Sequence, residues 1–416
     1  MDLRYTPEEI AFRDELRTIF RSKIPAEIRK KISDGHHLTR DEIAQSHRIL
    51  HAEGLATPNW PVEWGGKDWS PVQRYIYNEE VLANAVPMPL SFNVAMVGPV
   101  IANFGSQEQK EKFLPKTASL DIWWAQGFSE PGAGSDLASL KTSAKREGDH
   151  YVVNGQKTWT TLGQYADWIF LLVRTDPAAK KQQGISFLLV DMKTPGITVR
   201  PIITIDGAHE VNEVFFDEVK VPAENLVGEE NKGWDYAKFL LSNERSNIAR
   251  IGFSKERLAM IKSRAQETPS GDGTLWDDAD FRRRVAIAEI EMKALEITQM
   301  RVVAAQKHRA SDKPDPNSSI LKIKGSELQQ MATELMLTVA GPYAAAMPSH
   351  SHNEPPVGPD WAEGVAPQFF NYRKVSIYGG SNEIQRNIIA KAFLGSVRGR
   401  RPLPPFCHRR QPWIST

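Results

Sequence analysis

The segment Gly233-Trp-Asp-Tyr-Ala-Lys-Phe-Leu-Leu-Ser-Asn-Glu-Arg-Ser-Asn-Ile-Ala-Arg-Ile251 decides the fold. Here a series of short, β-branched, turn-bounded runs gives way to long helical periodicity. Trp234, Ala237, Leu241, Glu244, Ile248 and Ile251 recur at spacings of 3, 4, 3, 4 and 3, which lays them along one face of a 3.6-residue helix. That face is apolar except for one carboxylate. An ionised acid taken out of water without a partner costs several kcal/mol, or its pKa rises toward values useful for proton abstraction. Glu244 is therefore either paired, with the adjacent Arg245 or a distant Lys, or catalytic.

Downstream, helical periodicity runs over 233–266, 278–309, 317–340 and 367–395, which predicts a bundle of four long antiparallel helices. Upstream lie strand signals. Tyr151-Val-Val153, then Asn154-Gly155, then Lys157 to Thr161 predicts a hairpin closed by a type I′ turn. Trp168 to Arg174, Gly184 to Met192, Ile197 to Ile203 and Glu213 to Val221 continue the pattern, as in an antiparallel barrel or sandwich. The first third is helical again, opened by the capping box Thr6-Pro-Glu-Glu9. The chain is read as α+β: an N-terminal helical domain over 1–120, a middle β domain over 121–230, a C-terminal four-helix bundle over 231–396, and a disordered Arg/Pro-rich tail over 397–416.

Composition narrows the function. The chain has 416 residues, 25% of them charged, with a formal net charge of +1, so no nucleic-acid or other polyanion partner is implied. Its longest apolar runs fall far short of a membrane span, and the N-terminus is charged from Asp2, as expected of a cytoplasmic protein. The single cysteine, Cys407, cannot form an internal disulfide. His350 and His352 form an H-x-H in a Pro/Gly-rich loop without a third ligand nearby, so no metal site is expected.

Three strings carry chemistry. Gly127-Phe-Ser-Glu-Pro-Gly-Ala-Gly-Ser-Asp136 is not a dinucleotide fingerprint, since G-x-G-x-x-G would need glycine at Leu137. The others are Asn154-Gly-Gln-Lys-Thr-Trp-Thr-Thr161 and Tyr378-Gly-Gly-Ser-Asn-Glu-Ile-Gln-Arg386. With the α, β, α-bundle order, they resemble the acyl-CoA dehydrogenase family over residues 1 to about 396. The resemblance implies FAD as cofactor. It implies that Gln126, Phe128, Ser129, Trp159, Thr160 and Thr161 hold the flavin, with the indole against the ring and the Thr161 hydroxyl near N5. Ser381 and Glu383 would bind the adenosine portion at a helix N-terminus suited to pyrophosphate. Ser135, Arg245, Gly379 and Gly380 would lie on the acyl-CoA side, the Gly379 N–H sharing the thioester carbonyl with a flavin ribityl hydroxyl.

The familiar branch of the family places its base where this chain has Gly379, while another branch places it in a Glu-Arg pair on the bundle helix. Asn243-Glu244-Arg245 matches the second, so Glu244 is the expected base for forming a trans-2-enoyl-CoA, with electrons passed to an electron-transfer flavoprotein. Two elements are missing. An Arg-Lys-Thr-Phe string, whose Arg would reach a neighbouring subunit's FAD pyrophosphate, has no counterpart between Arg264 and Val285, and a Gln-x-x-Gly-Gly element is degraded to Leu337-Thr-Val-Ala-Gly341. A homo-oligomer, such as a tetramer, or a heterotetramer with a second dehydrogenase-like subunit is expected. The strings Trp123 to Ser129, Thr204 to Val214 and Lys374 to Gly380 resemble pimeloyl-CoA dehydrogenase large subunits, which suggests a dicarboxylyl or medium to long acyl-CoA. The alternatives are a subunit of a steroid side-chain dehydrogenase and a non-catalytic supporting subunit.

Overall fold

The computed structural model describes residues 4–244, 249–306, 317–346 and 357–394, with the backbone alone for 242–244 and 306. Arg245, the pair His350 and His352, Cys407 and the tail over 397–416 lie outside the described residues.

The N-terminal helices start where the sequence supplies caps. Thr6, Thr39, Ser70 and Ser106 each accept the N3 amide while the N3 Glu or Gln side chain bonds back. These open Pro7–Lys23, Arg40–Ala52, Pro71–Ala83 and Gln107–Ser119. Ala26–Asp34 and Arg40–Ala52 add two helices to those read from sequence. Between them and the sheet, a π-helical turn over Phe92–Val97 runs into Gly98–Phe104. His47 ties this domain together from inside, its Nδ1 accepting the Leu90 amide at 3.0 Å while its Nε2–H donates to the Ala118 carbonyl at 2.9 Å.

The middle domain is one seven-stranded sheet: β1 (Trp124–Gly127), β2 (Ser143–Glu147), β3 (His150–Lys157), β4 (Trp168–Arg174), β5 (Ile185–Asp191), β6 (Ile197–Ile203) and β7 (His209–Pro222). The spatial order is β1-β4-β2-β3-β7-β6, with β5 also on β4. Two features correct the sequence reading. The sheet is mixed, since β1 and β2 both run parallel to β4. Asn154-Gly155 is also not a hairpin turn but lies inside β3, opposite a bulge in β7. The turn falls earlier, at Gly148 (φ 64°), between β2 and β3. Asn154 is occupied by the bulge: its Oδ1 accepts the Glu218 amide at 2.9 Å and its Nδ2 donates to Glu218 Oε1 at 2.6 Å.

The C-terminal bundle differs from four unbroken helices. The first described helix is Gly233–Glu244, and the next, Ile251–Glu267, begins after Arg250, whose φ of 48° is left-handed. The Glu244 stripe is therefore not one continuous helical face, because its Ile251 end belongs to a second helix. Ala279–Gln306 and Asn317–Ala340 match expectation. The last run splits into Val365–Asn371, a 3₁₀ stretch Tyr372–Ser376 and Asn382–Phe393. The split accommodates Gly379 and Gly380 at φ 65° and 85°, values that only glycine adopts without cost.

The three domains share interfaces. Arg264, on Ile251–Glu267, pairs with Asp34 of the N-terminal domain at 2.5 Å and stacks over Trp361. The β6–β7 hairpin touches both helical domains: Asp206 faces His37 at 3.6 Å, and Asn371 Nδ2 reaches Asp206 at 2.8 Å and Glu210 at 2.9 Å. Lys374 also pairs with Glu210. The Asp206 carboxylate beside His37 raises the imidazole pKa, against the opposing effect of burial.

Candidate active site

The first two strings are locked together by one buried ion pair. Lys157 is fully buried and donates to Glu130 Oε1 at 2.8 Å and to the Phe128 carbonyl at 3.2 Å. Glu130 also accepts the amides of Lys141 (2.7 Å) and Thr142 (2.8 Å). Burial pulls the Lys157 amine down to about 8, an effect that the charge of Glu130 offsets only in part. Burial would raise the Glu130 carboxyl, but Lys157 and the donated hydrogen bonds outweigh it and hold the group below the usual carboxylate range. Three donors converge on the Glu130 carboxylate, so the pair is ionised at neutral pH. The sequence reading passed over both residues, although each stands inside a string it quoted.

Glycines in the first string do two different jobs. A Cβ at Gly127 would meet Leu171 Cδ2 at 2.1 Å, so that glycine is required by packing between β1 and β4. At exposed Gly132 and Gly134 a Cβ would meet nothing within 4 Å. Among the described residues nothing needs glycine there, whereas close approach by a bound group would. Ser135 beside them is exposed; Gln126 and Ser129 are half-buried, and Phe128 is buried, packed edge-on to Phe170.

Beyond β3 the chain alternates. Thr158 donates its amide to the Ser129 carbonyl at 2.9 Å, Thr160 to the Asn212 carbonyl at 2.9 Å and Leu162 to the Glu210 carbonyl at 2.8 Å. The even-numbered residues are thus tied to the protein. Between them Trp159 stands 60% exposed at φ 60° and Thr161 is half-buried. A left-handed bulky residue costs roughly 1–2 kcal/mol, and such strain is retained where the local geometry serves a site. Thr160 points the other way: its Oγ1 is buried and has no hydrogen-bond partner among the described residues. Asn212, which the sequence reading quoted within Thr204 to Val214 without giving it a role, fixes this segment by donating to the Thr160 carbonyl at 3.0 Å and to Gln164 at 2.7 Å. An exposed, strained indole, an adjacent threonine and two glycines that packing does not require fit the edge and face of a planar heteroaromatic group such as the flavin.

The third string forms a turn and a helix start. Ser381 caps Asn382–Phe393, its Oγ accepting the Ile384 amide at 3.4 Å, and Glu383 lies exposed in the first turn. Backbone amides at that terminus lower the Glu383 pKa. Half-buried Gly379 and exposed Gly380 are steadied by buried Gln385, whose Nε2 donates to both carbonyls at 3.3 Å. A buried group over Lys322, Ser326 and Asn382 supports the same helix start, with Lys322 Nζ 2.8 Å from Asn382 Oδ1. Glu244 lies on the helix Gly233–Glu244; its side chain is outside what is described.

The family models agree with this arrangement across the chain. The acyl-CoA dehydrogenase N-terminal domain matches residues 6–121, the middle domain 125–219 and the C-terminal domain 231–394. This protein belongs to the acyl-CoA dehydrogenase family, a family of flavoprotein oxidoreductases, and is an acyl-CoA dehydrogenase. It is 34% identical to acyl-CoA dehydrogenase FadE26 of Mycobacterium tuberculosis over 96% of this chain and all of that protein. It is 35% identical to acyl-CoA dehydrogenase IpdE1 of the same organism, covering 87% of this chain and 90% of the relative. Among solved structures, the ChsE4–ChsE5 complex from M. tuberculosis superposes with a TM-score of 0.81 at 34% identity, covering 96% of this chain and 100% of the other. The Tcur3481–Tcur3483 steroid ACAD gives 0.83 at 29% identity, with the same coverage. Among the described residues no helix is long and apolar enough to cross a membrane.

Proposed function

We propose that the chain is the catalytic, FAD-binding subunit of a heteromeric acyl-CoA dehydrogenase in which Glu244 is the base. The observation that carries this reading is Gly379, which has no side chain to act as a base and stands in a left-handed turn (φ 65°), while Glu244, in the string Asn243-Glu244-Arg245, lies on the helix Gly233–Glu244. Glu244 removes the proton from the carbon next to the thioester. The Gly379 N–H donates to the thioester carbonyl as charge builds on its oxygen. FAD, when bound, supplies the hydride acceptor for the adjacent carbon. Trp159, Thr160 and Thr161 with Gln126, Phe128 and Ser129 hold its ring, Ser381 and Glu383 its adenosine end, and Ser135, Arg245 and Gly380 the acyl-CoA. Reducing equivalents then pass to an electron-transfer flavoprotein.

Glu244→Gln keeps shape and removes the proton acceptor, so turnover falls by about a hundredfold or more with flavin binding retained. A variant within a few fold of the parent removes the assignment. The heteromer reading rests on the missing Arg string and on likeness to two structures whose names pair two proteins. Where that Arg is expected, the chain has exposed Arg282 and Arg283, the latter already paired with Asp280. Loss of a charge-assisted phosphate contact weakens binding by about 1.5–3 kcal/mol, so FAD binds weakly to the chain alone and tightly on co-expression with its partner. One tightly held FAD per chain in a homo-oligomer would sink this idea. The substrate is an acyl-CoA with a dicarboxylyl or a medium to long acyl group; a steroid side chain is the second reading, supported by the likeness to a steroid ACAD.

A further inference from the structure

One contact of the buried Glu130–Lys157 pair is not needed to balance either charge. Besides meeting Glu130 Oε1 at 2.8 Å, the fully buried Lys157 Nζ donates to the Phe128 carbonyl at 3.2 Å. That carbonyl belongs to the peptide that carries the Ser129 N–H. Among the described residues no peptide bond is cis, so the carbonyl and the amide point opposite ways and the Ser129 N–H is turned away from the ammonium. This amide donates to nothing among the described residues, although the Ser129 carbonyl accepts the Thr158 amide at 2.9 Å. Ser129 is half-buried, Gly132 and Gly134 beyond it are exposed, and Thr158 is followed by the exposed Trp159. A spare donor thus stands at the accessible margin of the two strings, with a buried cation behind it.

A peptide that accepts a charge-assisted bond at its oxygen draws electron density from its nitrogen and becomes a stronger N–H donor, by roughly 10–30% along such a chain. Joining two strings does not itself demand charge, because a well-packed apolar pair in place of a buried ion pair is often equally stable. An apolar pair cannot polarise a peptide. In the reaction the acyl group is oxidised, losing a proton to the base and a hydride to the ring, and the reduced ring keeps one negative charge spread along its pyrimidine edge. We propose that Lys157 is a positioning residue for flavin reduction, acting through the Phe128–Ser129 peptide. Its ammonium polarises that peptide, so the Ser129 N–H holds the pyrimidine edge more strongly after the hydride has arrived than before. Lys157 thereby favours hydride acceptance while touching neither ring nor substrate.

The inference rests on the proposed place of the ring beside Ser129 and Trp159, and the test keeps the two apart. The holoenzyme, with any partner subunit that co-purifies, is titrated spectroelectrochemically for the midpoint potential of its bound flavin. Lys157→Met with Glu130→Gln removes both charges together and strands neither. In this double variant the equilibrium constant for flavin reduction falls roughly 3- to 10-fold, about 15–30 mV for a two-electron couple, and reduced FAD loses more affinity than oxidised FAD. The carbonyl stretches of the pyrimidine edge, read by infrared difference on reduction, move with it. Lys157→Gln with Glu130→Gln keeps polar side chains under both strings and shifts the potential in the same direction, and it serves where the first pair yields little folded protein. A purely structural pair would weaken oxidised and reduced FAD by the same factor and leave the potential where it was, which overturns the proposal. Trp159→Gly reads the underlying placement. If its flavin spectrum changes while neither double variant moves the potential, the ring lies beside these strings and only the role of Lys157 falls. If neither changes, the placement falls with it.

Discussion

The two segments proposed to enclose the reacting carbons are built by different physics. On the flavin side, residues 127–136 and 156–163 are over-determined: the Glu130–Lys157 pair lies under both, backbone bonds alternate with exposed side chains, and Asn212 fastens the far end. On the base side, the chain passes from Glu244 to Ile251 through a left-handed Arg250 held by an aromatic ring and phenols. The first segment is fixed by a buried charge pair, whereas at the second, among the described residues, Arg250 meets a ring and phenols and no carboxylate. A cofactor that stays bound suits the first arrangement, and an acyl group that enters and leaves suits the second.

The sharpest way to break this contrast is to remove one partner of the buried pair. Glu130→Ala strands the Lys157 ammonium in the interior, and unfolding free energy falls by about 3–5 kcal/mol in a denaturant titration. Glu130→Gln combined with Lys157→Met, which removes both charges, falls by less. If the single and double variants unfold alike, the pair is not what fixes the two strings.

His47 offers a second, smaller test away from both segments. Burial holds its pKa at about 4, against an ordinary value of 6.5, so the unfolded chain binds the proton more readily than the folded one. Stability from the neutral imidazole is full above about pH 6.5 and is lost progressively down to about pH 4, to a total of about 3 kcal/mol. His47→Gln should flatten that part of the pH-stability curve. A curve unchanged by the substitution would place the acid sensitivity elsewhere.

The smallest effect belongs to Trp159. Trp159→Gly releases its left-handed strain, so the flavin-free protein gains up to about 1 kcal/mol, offset in part by glycine's greater chain entropy. Flavin affinity drops, and the flavin absorption and fluorescence shift as the ring loses its neighbour. Unaltered flavin spectra would place the indole off the ring.

Much of the fold was legible because local signals agreed: the capping box at Thr6 and β-branched runs such as Trp168 to Arg174 sit where they were read. The errors have physical causes. Asn-Gly is a turn dipeptide only when the strands part there, and Asn154 instead uses its amide to hold Glu218 opposite. Periodicity through Arg250 persists although the backbone does not, because spacing is blind to one left-handed residue. Glu130 and Lys157 stand 27 positions apart, and no local pattern announces a charge pair that forms only across strands.

The bulge in β7 acts as a frame correction. Asn212, Val214 and Phe216 point inward, then Val219 and Val221 do, so the inward set changes from even to odd numbers across Asp217 and the left-handed Glu218 (φ 50°). In a strand one residue more or less exchanges the two faces of everything beyond it. Deleting Glu218 would keep composition, charge pattern and every quoted string almost intact, yet one half of β7 would have to turn over. Either Val219 and Val221 would face water, or Asn212 would swing away from Thr160 and release the segment that presents Trp159. How the indole is presented is thus a matter of parity, set by a single surplus residue on the neighbouring strand.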